Sequence, residues 1–364
     1  MEYSPFVGIS ALHKDPEWQY LRTLLPGDLD LTAHQNGALV RCRNISNAEG
    51  LVRIALAYAV SDLSLKDVAA WSHALGLAEI TGPGVFYRLR EAESWLSVVL
   101  AQVLEQEFGT AARVCGLSLR IVDATVLTGP GAKGTEWRAH VMVEPRSGNF
   151  QAVEVTDARG GEHYGRYPLR VGETVLGDRA YATARGLHAV ERTGAYVLAR
   201  LNPHNLRVCD AERKRIFLLE RKDQVPAVGW VEWSILVPIP PDDYNSRSDK
   251  GWSLSRAKDW IPARVVAGRT RTGEIIWLIT TAPAQLIPAA AATDLYRLRW
   301  QIELFFKRLK SLLHFDALPS RQGPTAKSWI LSRLLAAALA QRLITPSGPL
   351  SPWGYEISKT RISE

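Results

Sequence analysis

Four residues whose side chains could bind a metal ion and a phosphate lie along the segment from Tyr296 to Lys310. On a helix of 3.6 residues per turn, Tyr296, Arg299, Glu303 and Lys310 fall within about 60° of one another. One carboxylate in a row with a phenol, a guanidinium and an ammonium suits a site that holds metal and phosphate together. The alternative is a solvated helix face on which Glu303 pairs with Arg299 or Lys307. The adjoining arc is apolar and must be buried: Leu295, Leu298, Ile302, Phe305, Phe306, Leu309, Leu312 and Leu313.

Two further acids lie in segments that have the pattern of β-strands. Asp123 stands in the apolar, β-branched stretch 119–126, where an acid must be paired, bind a metal or face solvent. Asp178 closes the stretch 173–178 directly before a helical segment. Two-metal phosphoryl chemistry needs a few carboxylates that converge from different elements, and Mg²⁺ prefers oxygen ligands. Asp123, Asp178 and Glu303 therefore form a candidate ligand set.

Other acids compete for the same roles. Glu154 and Asp157 are alternatives to Asp178, although Asp157 follows a strand and could instead begin an Asx turn. Asp178 is preferred because of its Gly-Asp-Arg-Ala-Tyr context. Asp294, two residues before Tyr296, is interpreted as an ordinary polar position on the helix.

The periodicity of the chain changes along its length and predicts an α/β layer fold. Three antiparallel strands come first, followed by alternating strand and helix. The predicted strands are 119–126, 138–143, 150–156, 173–178 and 195–201, with helices at 180–193 and near 326–344. The predicted organisation is a helical DNA-binding domain at 1–112, a catalytic core at 113–204 and 283–346, a β-rich insertion at 205–282 and a poorly ordered tail at 347–364.

The N-terminal region contains two helical segments, 64–76 and 85–96, joined by a short turn with glycine. Tyr87, Arg88 and Arg90 come early in the second segment. This arrangement is similar to a helix-turn-helix, in which these three side chains would contact DNA. An ordinary helical hairpin is the alternative.

The bulk composition favours a polyanionic partner and a folded, cytoplasmic protein. Among 364 residues, 46% are hydrophobic, the net charge is +7 and the isoelectric point is about 9.3. Cys42, Cys115 and Cys209 are odd in number and lack metal-ligand spacing, which argues against a disulfide framework or a zinc site. No signal peptide is recognisable, and the apolar stretch 329–344 is interrupted by arginines and too short for a membrane span.

Three motifs make the sequence resemble bacterial insertion-sequence transposases of the DDE type. They are Ile121-Val-Asp-Ala-Thr125, Gly177-Asp-Arg-Ala-Tyr181 and Tyr296-x2-Arg299-x3-Glu303-x6-Lys310, the last of which matches the Tyr-Arg-Glu-Lys signature of that family at every spacing. The resemblance implies a ribonuclease-H-like core with a mixed five-stranded sheet, interrupted by a β-rich insertion. It also implies that Asp123, Asp178 and Glu303 bind two ions of Mg²⁺ or Mn²⁺.

The resemblance further implies a reaction on double-stranded DNA, carried out by a homodimer that brings two transposon ends together. One strand is cut, the freed 3′-hydroxyl forms a hairpin on the other strand, and the reopened end attacks target DNA. Tyr296, Arg299 and Lys310 would hold phosphates. Trp277 is similar in position to the family's base-stacking tryptophan, with burial in its strand as the alternative, and Trp300 is a second candidate.

Two other functions stay open at this stage. One is a non-catalytic DNA-binding protein derived from a transposase, and the other is a ribonuclease-H-type nuclease without strand transfer. The cations of the insertion either follow a DNA backbone or lie in solvated loops: Arg213, Lys214, Arg215, Arg221, Lys222, Arg264, Arg269 and Arg271. No membrane partner is expected, and a DNA-bound protein in a bacterium would associate with the nucleoid.

Overall fold

The computed structural model describes residues 15–41, 44–61, 63–105, 116–132, 134–145, 150–245, 251–270, 272–313, 315, 318–319 and 323–344. The N-terminal part of this range is helical, as predicted. Its helices are α1 (Pro16–Leu24), α2 (Leu29–Gln35), α3 (Ala48–Val60), α4 (Leu65–Ala74), α5 (Gly82–Glu91) and α6 (Glu93–Glu105). The predicted helix over 85–96 is divided between α5 and α6, because the chain bends at Ala92 while keeping helical torsion angles there (φ −80°, ψ −6°).

Capping residues fix where these helices begin. The Asn47 side chain accepts a hydrogen bond from the Gly50 amide at the start of α3. Ser64 and Asp67 form a reciprocal capping box at the start of α4, which satisfies amides that have no partner within the helix. These local signals are readable in the sequence, and the helices start where they predict.

One mixed sheet of ten strands runs through the molecule. The strands are β1 (Ser118–Leu127), β2 (Trp137–Val143), β3 (Phe150–Asp157), β4 (Glu173–Gly177), β5 (Tyr196–Arg200), β6 (Val208–Cys209), β7 (Arg215–Ile216), β8 (Trp230–Ile239), β9 (Asp259–Arg269) and β10 (Ile275–Thr280). Their order is β3-β2-β1-β4-β5-β10-β9-β8-β6-β7. The β1–β4 and β4–β5 pairs are parallel, and the other pairs are antiparallel.

The five predicted core strands are present and adjacent in the sheet. The strands of the predicted insertion do not form a second sheet, however, because β10 pairs with β5 and extends the same sheet. Thr280 lies opposite Leu198 at this junction. The insertion therefore shares a hydrogen-bonded edge with the strands around Asp178.

Helices cover both faces of the sheet. Alternation along the strands sends Ile121 and Leu176 to one face, where α3, α6, α8 (Ala289–Arg297), α9 (Trp300–Leu313) and α10 (Gly323–Ile344) pack. Val122 and Val175 face the opposite side, where α7 (Ala184–Glu191) packs. Helix α10 also joins the N-terminal helices, since the Ser328 hydroxyl donates to the Leu89 carbonyl at 2.6 Å.

Several predictions concern residues elsewhere in the chain. Cys209 is buried with a free thiol, whereas Cys42, Cys115 and the tail at 347–364 lie outside the described residues. Within the described part of the chain, no helix combines the length and apolarity that crossing a bilayer requires.

Candidate active site

The register of two parallel strands brings Asp123 and Asp178 together. Ile121 of β1 lies opposite Leu176 of β4. Two residues beyond this last pair of the ladder come Asp123, still within β1, and Asp178, directly after the end of β4. The negative charge of Asp178 contributes to a raised pKa of Asp123, as expected for neighbouring carboxylates. The site lies at the carboxyl end of β4, where α/β folds commonly bind ligands.

Asp123 is held in a mostly buried position. Its side chain is 17% exposed, and its Oδ1 accepts a hydrogen bond from the Ala124 amide at 2.8 Å. Burial raises the pKa of Asp123 to about 7, against the lowering effects of that hydrogen bond and of Arg299. Near neutral pH the metal-free carboxyl therefore binds a proton readily, which is typical of a carboxylate that lacks a full counter-charge.

The Asp178 side chain emerges just after β4 ends. It is half-buried, and its Oδ1 accepts a hydrogen bond from the Ala180 amide at 2.8 Å. This Asx-type contact turns the chain away from the sheet before α7 begins at Ala184. The helix predicted over 180–193 is consequently shorter, at Ala184–Glu191.

The signature segment is not one continuous helix. Helix α8 ends at Arg297 and α9 begins at Trp300, with a tight turn between them. The Leu298 and Arg299 amides donate to carbonyls three residues back, at 3.0 Å each. Such a tightened turn within a helical segment often marks a functional site. It replaces the predicted uninterrupted helix and sets the direction of Arg299.

The Arg299 guanidinium lies between acids from two different elements. Its Nη2 donates a short hydrogen bond to Glu303 Oε1, and its Nη1 is 3.9 Å from Asp123 Oδ2. The guanidinium also lies over the Tyr296 ring, 5.8 Å from the centroid. The Glu303–Arg299 pair predicted as the alternative is therefore present, but its guanidinium also lies near Asp123 and is not on a fully solvated helix face. Glu303 and Asp123 thus meet at one cleft.

That cleft has a volume of about 600 Å³ and carries both acidic and basic groups. Lys310, from the end of the signature, lines it together with Lys307. The remaining lining residues are Asp123, Ala124, Thr125, Glu303, Phe306 and Ser311. A cleft of this size, lined by two ammonium groups and two carboxylates, can hold a phosphate next to a cation.

The donor chemistry fits a hard divalent cation, because all three candidate ligands are carboxylates. In the arrangement described, Arg299 occupies the space between Asp123 and Glu303. Among the described residues, no three His, Cys, Asp or Glu side chains converge closely enough to hold a metal ion. Coordination by Asp123, Asp178 and Glu303 together requires Arg299 to leave its bonded position.

One acid near this site had no recognisable signal in the sequence. Glu162 is half-buried in the loop after β3, and burial together with the charge of Asp178 raises its pKa. Its charge also contributes to the raised pKa of Asp123. Glu162 lies in an irregular loop, so no periodic pattern could have marked it. Only the fold brings it near the two strand acids.

The competing acids have partners of their own. Glu154 pairs with Arg166 at 2.7 Å. Asp157 Oδ1 accepts from the Arg159 amide at 2.8 Å, which is the Asx turn given as its alternative role. Asp294 pairs with Arg297 on the surface of α8. These contacts favour ordinary structural roles for all three acids.

The two tryptophans predicted to contact DNA differ in exposure. Trp277 is 6% exposed on β10 and stacks on Trp233, with ring centroids 5.9 Å apart. It is therefore not available to a base, and burial in the strand describes it correctly. Ile275, on the same face of β10, packs into the same cluster and explains this burial. Trp300 is 58% exposed at the first position of α9.

The predicted DNA contacts in α5 are partly engaged within the protein. Tyr87 is 52% exposed, and the Arg90 guanidinium lies 4.9 Å from its ring centroid. Arg88 instead donates to the Arg41 carbonyl at 3.0 Å and approaches Glu91 at 3.5 Å. Tyr87 and Arg90 are thus the more accessible of the three.

Arg264 does not belong to either role predicted for the cations of the insertion. It is 9% exposed and pairs with Glu232 at 2.6 Å. Its guanidinium also donates to the Ala282 carbonyl at 2.9 Å and to the Ile287 carbonyl at 2.6 Å. Strand β9 lies inside the sheet, between β10 and β8. The chain that leads from β10 to α8 contacts this side chain through Ala282 and Ile287. Arg264 therefore fastens that connection to the sheet.

Comparison with known proteins assigns the class of protein. The family model described as the transposase DDE domain matches residues 115–339. The transposase for insertion sequence element IS421 of Escherichia coli is 32% identical over 350 residues, which cover 90% of this chain and 93% of that relative. The cryo-EM structure of the piggyBac transposase synaptic complex with hairpin DNA has a TM-score of 0.48 and 9% identity, and covers 98% of this chain and 77% of that chain. The chain belongs to the transposase DDE domain family, whose curated relatives include transposases of bacterial insertion sequences.

Proposed function

We propose that this transposase cuts the ends of an insertion sequence and joins them to target DNA, in a reaction that depends on a divalent metal ion. The observation that supports the proposal is the β1–β4 register, whose last pair, Ile121 opposite Leu176, lies two residues before Asp123 and Asp178. Asp123 and Glu303 line one cleft. Metal-assisted phosphoryl transfer needs acids from separate elements that can converge on the cations.

The proposed ligands are Asp123, Asp178 and Glu303, holding two ions of Mg²⁺ or Mn²⁺. They belong to a ribonuclease-H-like core formed by 113–204 and 283–346, and the strand order β3-β2-β1-β4-β5, with its antiparallel and parallel halves, supports that assignment. Bound divalent cations would supply an activated water and neutralise charge on the phosphate oxygens.

The cationic side chains of the cleft position the DNA strand. Lys310 offers a point charge to a phosphate, and the Tyr296 hydroxyl offers a hydrogen bond. Arg299 offers a planar fork that binds two phosphate oxygens at once. Since Arg299 pairs with Glu303 in the metal-free protein, phosphate binding exchanges one anionic partner for another. The same exchange frees Glu303 to act as a ligand.

The proposed course of reaction is cut-and-paste through a hairpin. Cleavage of one strand frees a 3′-hydroxyl, which attacks the opposite strand, and the reopened end then attacks target DNA. Trp300 is exposed next to Arg299 and is placed better than Trp277 to stack on a displaced base. Two ends must be held together, so the working form is a homodimer on double-stranded DNA.

The N-terminal helices supply the second DNA contact in this proposal. Helices α4 and α5, joined by a short turn, present Tyr87 and Arg90 on an exposed face. The domain 1–112 would then read the end sequence, while the core performs the chemistry. Binding that depends on phosphate contacts should weaken steeply with salt.

The test uses Glu303→Gln, which keeps the side-chain shape and removes the charge. We expect this variant to bind end DNA but to lose Mg²⁺-dependent cleavage by at least two orders of magnitude, as loss of a metal ligand or its neighbour commonly does. Supercoiled plasmid nicking and cleavage of labelled end DNA, each with Mg²⁺ and with Mn²⁺, measure this loss. The matched control is Asp294→Asn, which removes a carboxylate from the exposed ion pair on α8.

The outcomes separate the candidate functions. Cleavage by Glu303→Gln at the wild-type rate would refute the proposed site. A wild-type protein that binds ends and cuts neither strand would favour the non-catalytic DNA-binding alternative. Cut ends that are never joined to a second DNA would favour a nuclease without strand transfer.

A further inference from the structure

Three tyrosines pack together under the strand that leads to Asp178. The Tyr164 and Tyr181 rings lie 5.1 Å apart between centroids, and Tyr167 is 6.3 Å from Tyr181. The Tyr167 and Tyr181 hydroxyls hydrogen-bond to each other at 2.9 Å. The Tyr164 hydroxyl has no hydrogen-bond partner, although Tyr164 is only 1% exposed. An unsatisfied buried hydroxyl is uncommon and calls for an explanation.

The Tyr164 hydroxyl is aimed at the end of β4. A β-carbon on Gly177 would clash with this hydroxyl, and the ring carbon Cζ would be 3.0 Å from that β-carbon. Gly177 directly precedes Asp178, so the hydroxyl meets the backbone that carries the second candidate ligand. The glycine is therefore required at this position by Tyr164, not by its own torsion angles.

The electrostatic surroundings of Tyr164 agree with this placement. Its pKa is raised well above the ordinary value, first by burial and then by the nearby Tyr296 and Asp178. Two residues of the candidate active site are thus close enough to affect the pKa of Tyr164. Packing alone does not account for it, because a phenylalanine would fill the same space without burying an unpaired polar group.

We infer that Tyr164 is a positioning residue for Asp178: its hydroxyl donates a hydrogen bond to the Asp178 carboxylate when that carboxylate turns to bind cations. The inference rests on the proposed function, in which Asp178 is a ligand. In the metal-free protein the carboxylate is held instead by the Ala180 amide. A buried donor that orients a ligating carboxylate increases the affinity of a metal site.

The experiment compares Tyr164→Phe with the wild-type chain and with Tyr58→Phe, a control in a buried tyrosine of α3. Mn²⁺ binding to the full chain is measured by electron paramagnetic resonance of the free ion, and thermal stability is measured in EDTA. We expect Tyr164→Phe to weaken Mn²⁺ binding by roughly ten- to a hundred-fold. In EDTA its melting temperature should equal or exceed that of the wild type, since the unpaired hydroxyl is gone. Tyr58→Phe should bind Mn²⁺ like the wild type.

The Asp178→Asn variant distinguishes failure of the role inferred for Tyr164 from failure of the proposed ligand set. If Asp178→Asn loses Mn²⁺ binding and Tyr164→Phe keeps the wild-type affinity, the role of Tyr164 is refuted and the proposed ligand set stands. If Asp178→Asn keeps the wild-type affinity, or if the wild type takes up no Mn²⁺, the ligand set fails and the inference fails with it. A lower melting temperature of Tyr164→Phe in EDTA would also overturn the inference, because it would show a hydroxyl already bonded without metal.

Discussion

Removing the Asp123 carboxylate should change how the stability of the metal-free protein depends on pH. Burial raises the pKa of Asp123 from 3.8 to about 7. A group whose pKa is higher in the folded state than in the unfolded state stabilises the fold while it is protonated. That stabilisation is fully present below pH ~4, declines as the pH rises, and is lost above the folded-state pKa of about 7.

The size of the effect follows from the distance between the two pKa values. One pKa unit corresponds to about 1.4 kcal/mol, so the span from 3.8 to about 7 corresponds to about 4 kcal/mol. Roughly 2 kcal/mol of this falls between pH 5 and pH 7, a range in which most domains stay folded. Glu162 adds a change of the same sign, because its pKa is also raised by burial and by Asp178. Asp123→Asn removes only the contribution of Asp123.

The assay is urea unfolding in EDTA at half-unit steps from pH 5 to pH 8.5. The wild type should lose stability as the pH rises, and Asp123→Asn should lose about 2 kcal/mol less over pH 5 to 7. Asp294→Asn, at an exposed ion pair, should keep the wild-type profile. If stability changed equally with pH in Asp123→Asn and in the wild type, the proposed effect of the buried Asp123 carboxyl would be refuted. Added Mg²⁺ should flatten the wild-type profile, because the ion competes with the proton.

Three further variants test the parts of the fold that position the site. Arg120 and Glu173 form an ion pair of 2.6 Å, and their side chains are 1% and 5% exposed. Arg120→Met should therefore lower the free energy of unfolding in urea by about 3–5 kcal/mol, because it leaves the Glu173 charge buried without its partner. The double variant Arg120→Met, Glu173→Met should recover part of that loss. A β-carbon on Gly268 would overlap the Trp230 ring, so Gly268→Ala should lower the free energy of unfolding by about 1–3 kcal/mol. A β-carbon on Gly273 would meet no atom, so Gly273→Ala measures only the backbone strain of its positive φ of 85°. Arg264→Met removes the hydrogen bonds that hold the chain before α8 on the sheet. The rate of DNA cleavage should therefore fall by a larger factor than the affinity for end DNA. Arg264→Lys should recover only part of the activity, because an ammonium cannot replace the planar guanidinium.

Features that depend on neighbours in the sequence were predictable. The strand around Asp123 has a β-branched, apolar pattern, and the structure places β1 at Ser118–Leu127. The cap at Ser64 and the glycine before Asp178 likewise mark where elements begin or end. In each case the deciding interactions lie within a few residues, so periodicity and capping contain the information.

Features that depend on distant contacts were not predictable. The pairing of β10 with β5 joins residues about eighty positions apart, and nothing in either strand specifies its partner. Trp277 and Arg264 looked like candidates for DNA contact, because aromatic and cationic side chains have the same chemistry whether exposed or covered. Their burial is decided by Trp233 and by the chain around Ala282, which the fold brings over them. Glu162 was missed for the same reason.

In the signature segment, an observed ion pair and a proposed metal site use the same glutamate. An ion pair between Arg299 and Glu303 was set against a metal site that uses Glu303, as if one excluded the other. In the structure the turn at Leu298 and Arg299 directs the guanidinium toward both Glu303 and Asp123. Asp123 and Glu303 line one partly buried cleft, where an internal cation relieves the repulsion between their negative charges. A guanidinium, which is always charged and weakly hydrated, supplies it and can later bind a phosphate with the same donors.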